Sequence, residues 1–175
     1  MIVIQNPTSK EGSLQLPAPV ALSDDCVSQG LVLRFPGRSS DPDPGVNAFR
    51  SDRSLAGEIW FHRPVAFSGG ISLLHVSDHW DVRVNLGQVP DDIICLMICL
   101  NHFHGRRQPG DPTKIEIHGS RSEELLPAMN GPALETDGMV ALSFVRTRVA
   151  WVMAEVWKPM AGRTIRDMRD AIRLL

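Results

Sequence analysis

Residues 80–100, WDVRVNLGQVPDDIICLMICL, decide the fold of this chain. In residues 80–86 an apolar side chain falls at every second position, so the period is two and the pattern predicts a half-buried strand. The Gly, Pro and Asp residues at positions 87–92 are typical of a turn. Residues 93–100 are all apolar and too few to cross a bilayer, which indicates a strand buried on both faces.

The composition limits the class of protein. The chain has 175 residues, 43% of them hydrophobic, which suits one domain over residues 1–175 with a substantial core. Its 18 basic and 20 acidic side chains give a formal net charge of -2, so no general field recruits nucleic acid or an anionic membrane. No secretory leader and no apolar run of membrane-spanning length is visible. We therefore expect a cytoplasmic protein that does not bind nucleic acid or insert into a membrane.

The cysteines agree with a reducing compartment. The chain has three of them, an odd number, and Cys95 and Cys99 lie in its most apolar segment, where buried free thiols are common. On a strand, four residues separate two side chains on the same face by about 13 Å. That distance is too long for a disulfide or for a shared metal ion.

Six further segments have the β-branched and aromatic composition of strands. They are residues 26–35, 55–63, 71–76, 114–118, 139–146 and 148–157. We expect residues 55–63 and 71–76 to pair as a hairpin, and the short segment 114–118 to lie at a sheet edge. Lys158 and Pro159 are expected to end the last strand.

Two segments are predicted to be irregular. Residues 39–54 are rich in Ser, Asp, Pro and Gly, which predicts a long, exposed and flexible loop. Residues 123–128 are predicted to form one helical turn or an irregular crossover, because a cluster of Asn, Gly and Pro follows them.

Only residues 164–175 have the pattern of a helix. Their apolar side chains recur at helical spacing, and Thr164 with Asp167 three positions later fits an N-terminal cap. The arginines between them alternate with aspartates, which predicts a solvated face with charge pairs at i, i+3 or i, i+4. The whole pattern predicts a mainly β protein: a two-sheet antiparallel β-sandwich with a short C-terminal helix.

The order of motifs between residues 58 and 94 resembles a known family. The motifs are WFHRP at 60–64, a Gly-Gly turn at 69–70, HVSD at 75–78 and VNLGQVPDDI at 84–93, which has the form V-x-L-x-x-V-P-x-x-I. Together they resemble the centre of the TerD-like domain of tellurium-resistance and stress proteins. The resemblance implies a non-enzymatic module that binds protein partners in a bacterial tellurium-resistance or stress-response assembly. No oligomeric state follows from it.

The resemblance also implies a calcium site, because calcium-binding members carry an acidic motif early in the chain and an Asp- and Gly-rich loop after the histidine segment. Calcium takes six to eight oxygen ligands. Here the loop has shortened to residues 77–81, which leaves Asp78 and Asp81 as the metal ligands carried over. Residues 45–49, GVNAF, stand where the early acidic motif is expected. The resemblance therefore implies calcium binding that is weak or lost.

Other interpretations remain open. A structural or accessory subunit of a larger complex, such as phage or secretion machinery, could use the same sandwich with no metal role. His75 and His79 would suit a transition metal if they lay on a helix. His102, His104 and His118 would form a second set if the fold brought them together. An enzyme would need a nucleophile beside a positioned base, and the chain has neither a G-x-S-x-G motif nor a phosphate-binding glycine loop, so we predict no catalytic activity.

Overall fold

The computed structural model describes residues 18–36, 42–102, 112–120, 125–173 and 175. These residues form two antiparallel six-stranded sheets that share a core, followed by one short C-terminal helix. The predicted two-sheet β-sandwich with a C-terminal helix is therefore confirmed. No helix in these ranges is both long enough and apolar enough to cross a membrane.

The strands and helices follow one another along the chain. The strands are β1 Val20–Ala21, β2 Leu31–Pro36, β3 Asp43–Arg50, β4 Leu55–Ile59, β5 Val65–Ala66, β6 Ile71–Val76, β7 His79–Val84, β8 Ile93–Asn101, β9 Lys114–Gly119, β10 Leu125–Asn130, β11 Gly138–Arg146 and β12 Trp151–Met160. The helices are α1 Asp24–Gln29 and α2 Ile165–Ile172, and two 3₁₀ turns cover Phe67–Gly69 and Leu86–Gln88.

Residues 80–100 supply a central strand to each sheet. Sheet 1 has the order β1-β12-β11-β8-β3-β4, and sheet 2 has the order β10-β9-β2-β7-β6-β5. β7 pairs with β2 and β6 in sheet 2, and β8 pairs with β3 and β11 in sheet 1. The second 3₁₀ turn and residues 89–92 therefore carry the chain from one sheet to the other.

β8 is buried on both faces, as its continuous apolar sequence predicts. Its even-numbered side chains from position 96 onward join the core between the sheets. Its odd-numbered side chains from Cys95 to Cys99 join a second apolar group on the outer face of sheet 1, which we call the outer cluster. The outer cluster consists of Phe49, Cys95, Met97, Cys99, Val140, Met160, Ile165, Met168 and Ile172.

Helix α2 covers the outer cluster and begins where the sequence predicts. The Thr164 hydroxyl accepts a hydrogen bond from the Asp167 amide at 3.1 Å, and the Asp167 carboxylate accepts one from the Thr164 amide at 3.0 Å. This reciprocal pair satisfies two amides of the first turn. Gly45 of β3 allows the helix to approach the sheet, because a Cβ at that position would lie 2.7 Å from the Cδ1 atom of Ile165.

The predicted strand over residues 26–35 is wrong in its first half. Residues Asp24–Gln29 form helix α1, and only Leu31–Pro36 form the strand. Ser23 accepts a hydrogen bond from the amide of Cys26, and two aspartates in the first turn complement the helix dipole. Gly30, with a φ of 87°, then separates the helix from the strand.

The predicted loop over residues 39–54 is also wrong for most of its length. Asp43–Arg50 form β3, which lies between β8 and β4, and its side chains from Pro44 to Phe49 are buried. Pro is tolerated near the start of a strand, and burial against two neighbouring strands outweighs the local preference for a turn. Residues 39–41 lie outside the described ranges.

Residues 55–76 do not form a hairpin. β4 pairs with β3 in sheet 1, whereas β6 pairs with β5 and β7 in sheet 2. Between them, Trp60 and Arg63 exchange backbone hydrogen bonds of 3.2 and 2.8 Å in a tight turn. This turn, followed by Pro64, sends the chain across to the other sheet.

The remaining corrections concern sheet 2 and the end of sheet 1. β9 is not an edge strand, because β2 and β10 pair with it on either side. Of the segment 123–128, residues 125–128 belong to edge strand β10 and are neither a helical turn nor a crossover, and residues 123 and 124 lie outside the described ranges. The predicted strands 139–146 and 148–157 match β11 and β12, although β12 continues through Pro159 to Met160. A bulge near Trp157, which has a φ of 46°, accommodates this continuation.

Candidate functional site

The two predicted metal ligands lie at the hairpin that joins β6 to β7. The strands pair as far as Val76 and His79, so only Ser77 and Asp78 remain for the turn. Asp78 is exposed in this turn, whereas Asp81 lies within β7 and is buried. The two carboxylates are therefore close in sequence, but one is exposed to solvent and the other is buried.

Asp81 forms an ion pair with Arg34 of the neighbouring strand β2. The two residues lie directly opposite each other. Arg34 donates from Nε to Oδ1 of Asp81 at 3.0 Å and from Nη2 to Oδ2 at 3.4 Å. Hydrogen bonding to Asp81 is the main cause that raises the pKa of Arg34 above its ordinary value. Both carboxylate oxygens of Asp81 are thus already engaged by a guanidinium group.

His79 connects Asp78 to this ion pair. Its Nδ1 atom lies 3.1 Å from Oδ1 of Asp78, and its Nε2 atom lies 3.5 Å from Oδ1 of Asp81. In the tautomer with the proton on Nδ1, the imidazole donates to Asp78. Hydrogen bonding to His79 is the main cause that lowers the pKa of Asp78.

The charges continue across sheet 2 as a row on its outer face. Glu116 of β9 lies opposite Arg34 on the side away from Asp81, so the signs alternate from strand to strand. Lys114 Nζ lies 2.7 Å from Oε1 of Glu116, and hydrogen bonding to Lys114 is the main cause that lowers the pKa of Glu116. His118 Nε2 lies 3.7 Å from Oε2 of the same carboxylate. We call this set the charged row: His79, Asp81, Arg34, Glu116, Lys114 and His118.

Of the histidines named as transition-metal candidates, those that the structure describes are not gathered into one site. His75 packs against Trp80, with 4.5 Å between the ring centroids, and faces the interior side of sheet 2, whereas His79 faces the outer side. His102 follows β8 in sheet 1 while His118 belongs to sheet 2, and His104 lies outside the described ranges. Among the residues that the structure describes, no three His, Cys, Asp or Glu side chains are grouped so that they could hold a metal ion.

The buried cysteines confirm the prediction of free thiols, and their surroundings make them unreactive. Cys95 and Cys99 are free and buried in the outer cluster. Desolvation raises the pKa of each thiol from 9.0 to about 12. A thiol is a nucleophile or a metal ligand only as a thiolate, so both groups are unreactive at neutral pH.

Two arginines hold the acidic loop that enters β8, a feature that the sequence analysis missed. Arg146 donates from Nη2 to the carbonyl oxygens of Val89 at 2.7 Å and Pro90 at 3.1 Å, and its Nη1 atom lies 2.5 Å from Oδ1 of Asp91. Its guanidinium carbon also lies 4.7 Å from the centroid of the Trp151 ring.

The second arginine binds the same loop from the other side. Arg50, at the end of β3, donates from Nε to Oδ2 of Asp92 at 2.7 Å. We call Arg50 and Arg146 with their aspartates the arginine clamp. The acidic pair in the VPDDI motif is the one sequence feature that points to these contacts, because both arginines come from strands that are distant in the sequence.

Asn47 belongs to residues 45–49, where the early acidic motif of the resembled family is expected, and Glu58 is its partner on the neighbouring strand. They lie opposite each other on β3 and β4, on the outer face of sheet 1. The buried Asn47 donates from Nδ2 to the carbonyl oxygen of Ile165 at 3.5 Å. Glu58 lies 3.9 Å from Nε of Arg166 and 3.6 Å from Nη1 of Arg169. These polar groups attach helix α2 to the sheet.

The helix arginines therefore pair differently from the prediction. Arg166 and Arg169 use Glu58 of β4, and Arg163 lies 4.0 Å from Asp137, which precedes β11. The contact within the helix, Arg169 with Asp170 at 3.6 Å, joins adjacent positions rather than i, i+3 or i, i+4.

No protein-family model matches the chain, and no curated protein matches it in sequence. Several solved structures share its fold, among them those of SAV2460 and SCO6318. The crystal structure of SAV2460, a protein of unknown function, superposes with a TM-score of 0.65 and 13% identity, covering 82% of this chain and 96% of that chain. The crystal structure of SCO6318, a homologue of the telluride resistance protein (TerD) from Streptomyces coelicolor A3(2), gives a TM-score of 0.61 and 11% identity, covering 79% of this chain and 94% of that chain. This chain therefore has a TerD-like β-sandwich fold.

Proposed function

We propose that the chain is a non-enzymatic TerD-like interaction module. It acts in the cytoplasm, in a bacterial tellurium-resistance or stress-response assembly, and its calcium binding is weak or lost. The observation that carries this proposal is the fold shared with a TerD homologue, at a TM-score of 0.61 over 79% of this chain. The motifs at 60–64 and 84–93, which resemble the same family, support the proposal independently of the structural match.

The outer face of sheet 2 supports a role in binding proteins. Helix α2 packs on strands of sheet 1, and α1 packs on the 3₁₀ turn at Leu86–Gln88, so neither helix covers the charged row. The row presents positive and negative groups in alternation, which suits a polar protein surface better than a uniform polyanion.

The pairing of the acidic residues supports the proposed weak calcium binding. Asp81, Asp91 and Asp92 each bind an arginine. A calcium ion would have to displace guanidinium groups to gain these oxygens, and it would still need several more ligands. Asp78 adds one exposed carboxylate.

A tagged copy expressed from its own locus tests the proposed role. We expect the protein to purify in a complex larger than the monomer by native mass spectrometry, together with other stress-resistance proteins, and deletion of the gene to lower tolerance of tellurite. Unchanged tolerance, with a complex composed of phage or secretion-machine subunits, would instead establish the structural role.

A further inference from the structure

A second surface lies on sheet 1, away from the charged row, where aromatic rings and arginines meet. The turn between Trp60 and Arg63 brings three rings together: the centroids of Trp60 and Phe61 are 5.0 Å apart, those of Trp60 and His62 are 5.0 Å apart, and those of Phe61 and His62 are 4.2 Å apart. His62 and Arg63 are exposed at the tip of the turn. Val65, just after the turn, is 54% exposed.

Helix α2 adjoins this turn. Trp60 follows Glu58 by two positions, so both side chains lie on the outer face of sheet 1. Glu58 contacts Arg166 and Arg169 of the helix, and Trp60 packs against the outer cluster, to which the helix contributes. The aromatic turn and one flank of the helix therefore form a continuous surface, the basic corner. It consists of Trp60, Phe61, His62, Arg63, Arg166, Arg169 and Arg173.

The basic corner has a local charge opposite to that of the whole chain. Arg166, Arg169 and Arg173 recur at i, i+3 and i+7 and so share one flank of α2. With Arg63 they outnumber by two charges the two carboxylates that contact them, the largely buried Glu58 and Asp170. The formal net charge of the chain is -2, so a positive surplus here is not a property of the chain as a whole.

We propose that the basic corner docks an acidic peptide segment of a partner protein, one that also carries an apolar side chain. Carboxylates bind arginine forks in a two-point geometry, and tryptophan and arginine are the residues most often dominant at protein interfaces. The apolar side chain packs against the ring stack while the carboxylates bind the arginines. This inference rests on the proposed role as an interaction module, for which it specifies the chemistry of the partner.

The test measures fluorescence anisotropy of a labelled peptide made of glutamates around a leucine pair. We expect the full chain to bind this peptide and not a matched peptide with lysines in place of the glutamates. Replacement of the leucines by serine weakens binding. The double variant Arg63→Glu with Arg173→Glu, which leaves both Glu58 contacts intact, weakens binding by about tenfold, because two attractions become repulsions.

The matched control is Arg83→Glu with Arg148→Glu, which changes the net charge equally at two exposed arginines outside the corner. Its binding stays within about twofold of the unsubstituted chain. The proposal is overturned if the acidic peptide does not bind, if both double variants weaken binding equally, or if phosphatidylglycerol vesicles bind in a corner-dependent way while the peptide does not.

Failure of the proposed docking surface can be distinguished from failure of the proposed function. If the corner variant still joins the native complex, the docking surface is wrong and the proposed function stands. If the peptide binds at the corner but no complex forms in cells, the surface stands and the proposed function is wrong.

Discussion

Arg34 and Asp81 are unequal partners in their ion pair. The side chain of Asp81 is 5% exposed, whereas that of Arg34 is 36% exposed. A carboxylate withdrawn from water depends on its counter-charge, while a partly exposed guanidinium can still be hydrated. Removal of the arginine should therefore destabilise the fold more than removal of the negative charge on Asp81.

We predict that Arg34→Ala lowers the free energy of unfolding by about 2 kcal/mol and Asp81→Asn by about 1 kcal/mol. The double variant should lose less than the sum, because no buried charge is then left unpaired. Urea denaturation measures all three values. The control is Arg83→Ala, at an exposed position on β7, the strand that carries Asp81. It should change stability by less than about 0.5 kcal/mol. Equal losses from the two single variants would contradict this account.

Arg146 allows a second prediction, because it binds two carbonyl oxygens as well as Asp91. A lysine keeps the charge but lacks the planar fork, so Arg146→Lys should not preserve these contacts. We expect a loss of about 1 kcal/mol in stability and faster hydrogen exchange at the amides of Val89 and Ile93.

Arg50→Lys is the comparison for that measurement. Arg50 and Asp92 are 41% and 56% exposed, so their ion pair contributes little. Exchange at the same amides should be nearly unchanged. If the two lysine variants behave alike, Arg146 has no special part in holding the loop.

Among the elements, those whose signals lie within their own stretch of sequence could be predicted. Helix α2 is an example, because its cap and apolar spacing are contained within residues 164–175. β3 could not be predicted, since its Pro and Asp residues favour a turn and only pairing with β8 and β4 makes it a strand. The same limit applies to the candidate site: motif spacing indicates Asp78 and Asp81, but Arg34 lies 47 positions away from Asp81.

The two cysteines buried between α2 and sheet 1 should make the protein less stable at alkaline pH. Burial raises the pKa of Cys95 and Cys99 from 9.0 to about 12. Above pH 9 the unfolded chain loses these protons while the folded chain keeps them, so the contribution to stability is complete below pH 9 and is lost as pH rises toward 12. At pH 10 each thiol should reduce the free energy of unfolding by about 1 kcal/mol.

Urea denaturation under reducing conditions at pH 8, 9 and 10 measures this effect. The variant Cys95→Ala with Cys99→Ala isolates it, because its stability should fall less between pH 8 and pH 10 than that of the unsubstituted chain. Cys26→Ala, at a partly exposed thiol, serves as the control and should keep the full decline. Parallel pH profiles for all three proteins would disprove the assignment.

At the scale of the whole molecule, the two sheets are covered differently. Sheet 1 has apolar groups on both faces, one shared with sheet 2 and one under α2. Sheet 2 contributes its inner face to the shared core and carries the charged row on its outer face. The molecule therefore offers a charge-balanced surface on one side and the basic corner on the other.

Calcium provides a measurement on the whole molecule. Ligand binding raises stability in proportion to RT ln(1 + [L]/Kd), so a site with a Kd above 1 mM adds less than about 0.4 kcal/mol at 1 mM calcium. We expect a rise in Tm of less than about 2 °C on addition of 1 mM calcium to the EDTA-treated protein. A rise of several degrees that is lost in Asp78→Asn with Asp81→Asn would show that the site is intact.

The arginine clamp has a consequence for how β8 finds its alignment. Both faces of β8 are apolar, so a shift by one residue would exchange one apolar set for another and hydrophobicity alone penalises the error weakly. Arg50 lies opposite Ile93 on one side of β8, and Val145, just before Arg146, lies opposite Cys95 on the other. Arg146, through the carbonyl oxygens of Val89 and Pro90, fixes the point at which the strand begins, and the more exposed Arg50 adds a weaker contact from the other neighbouring strand.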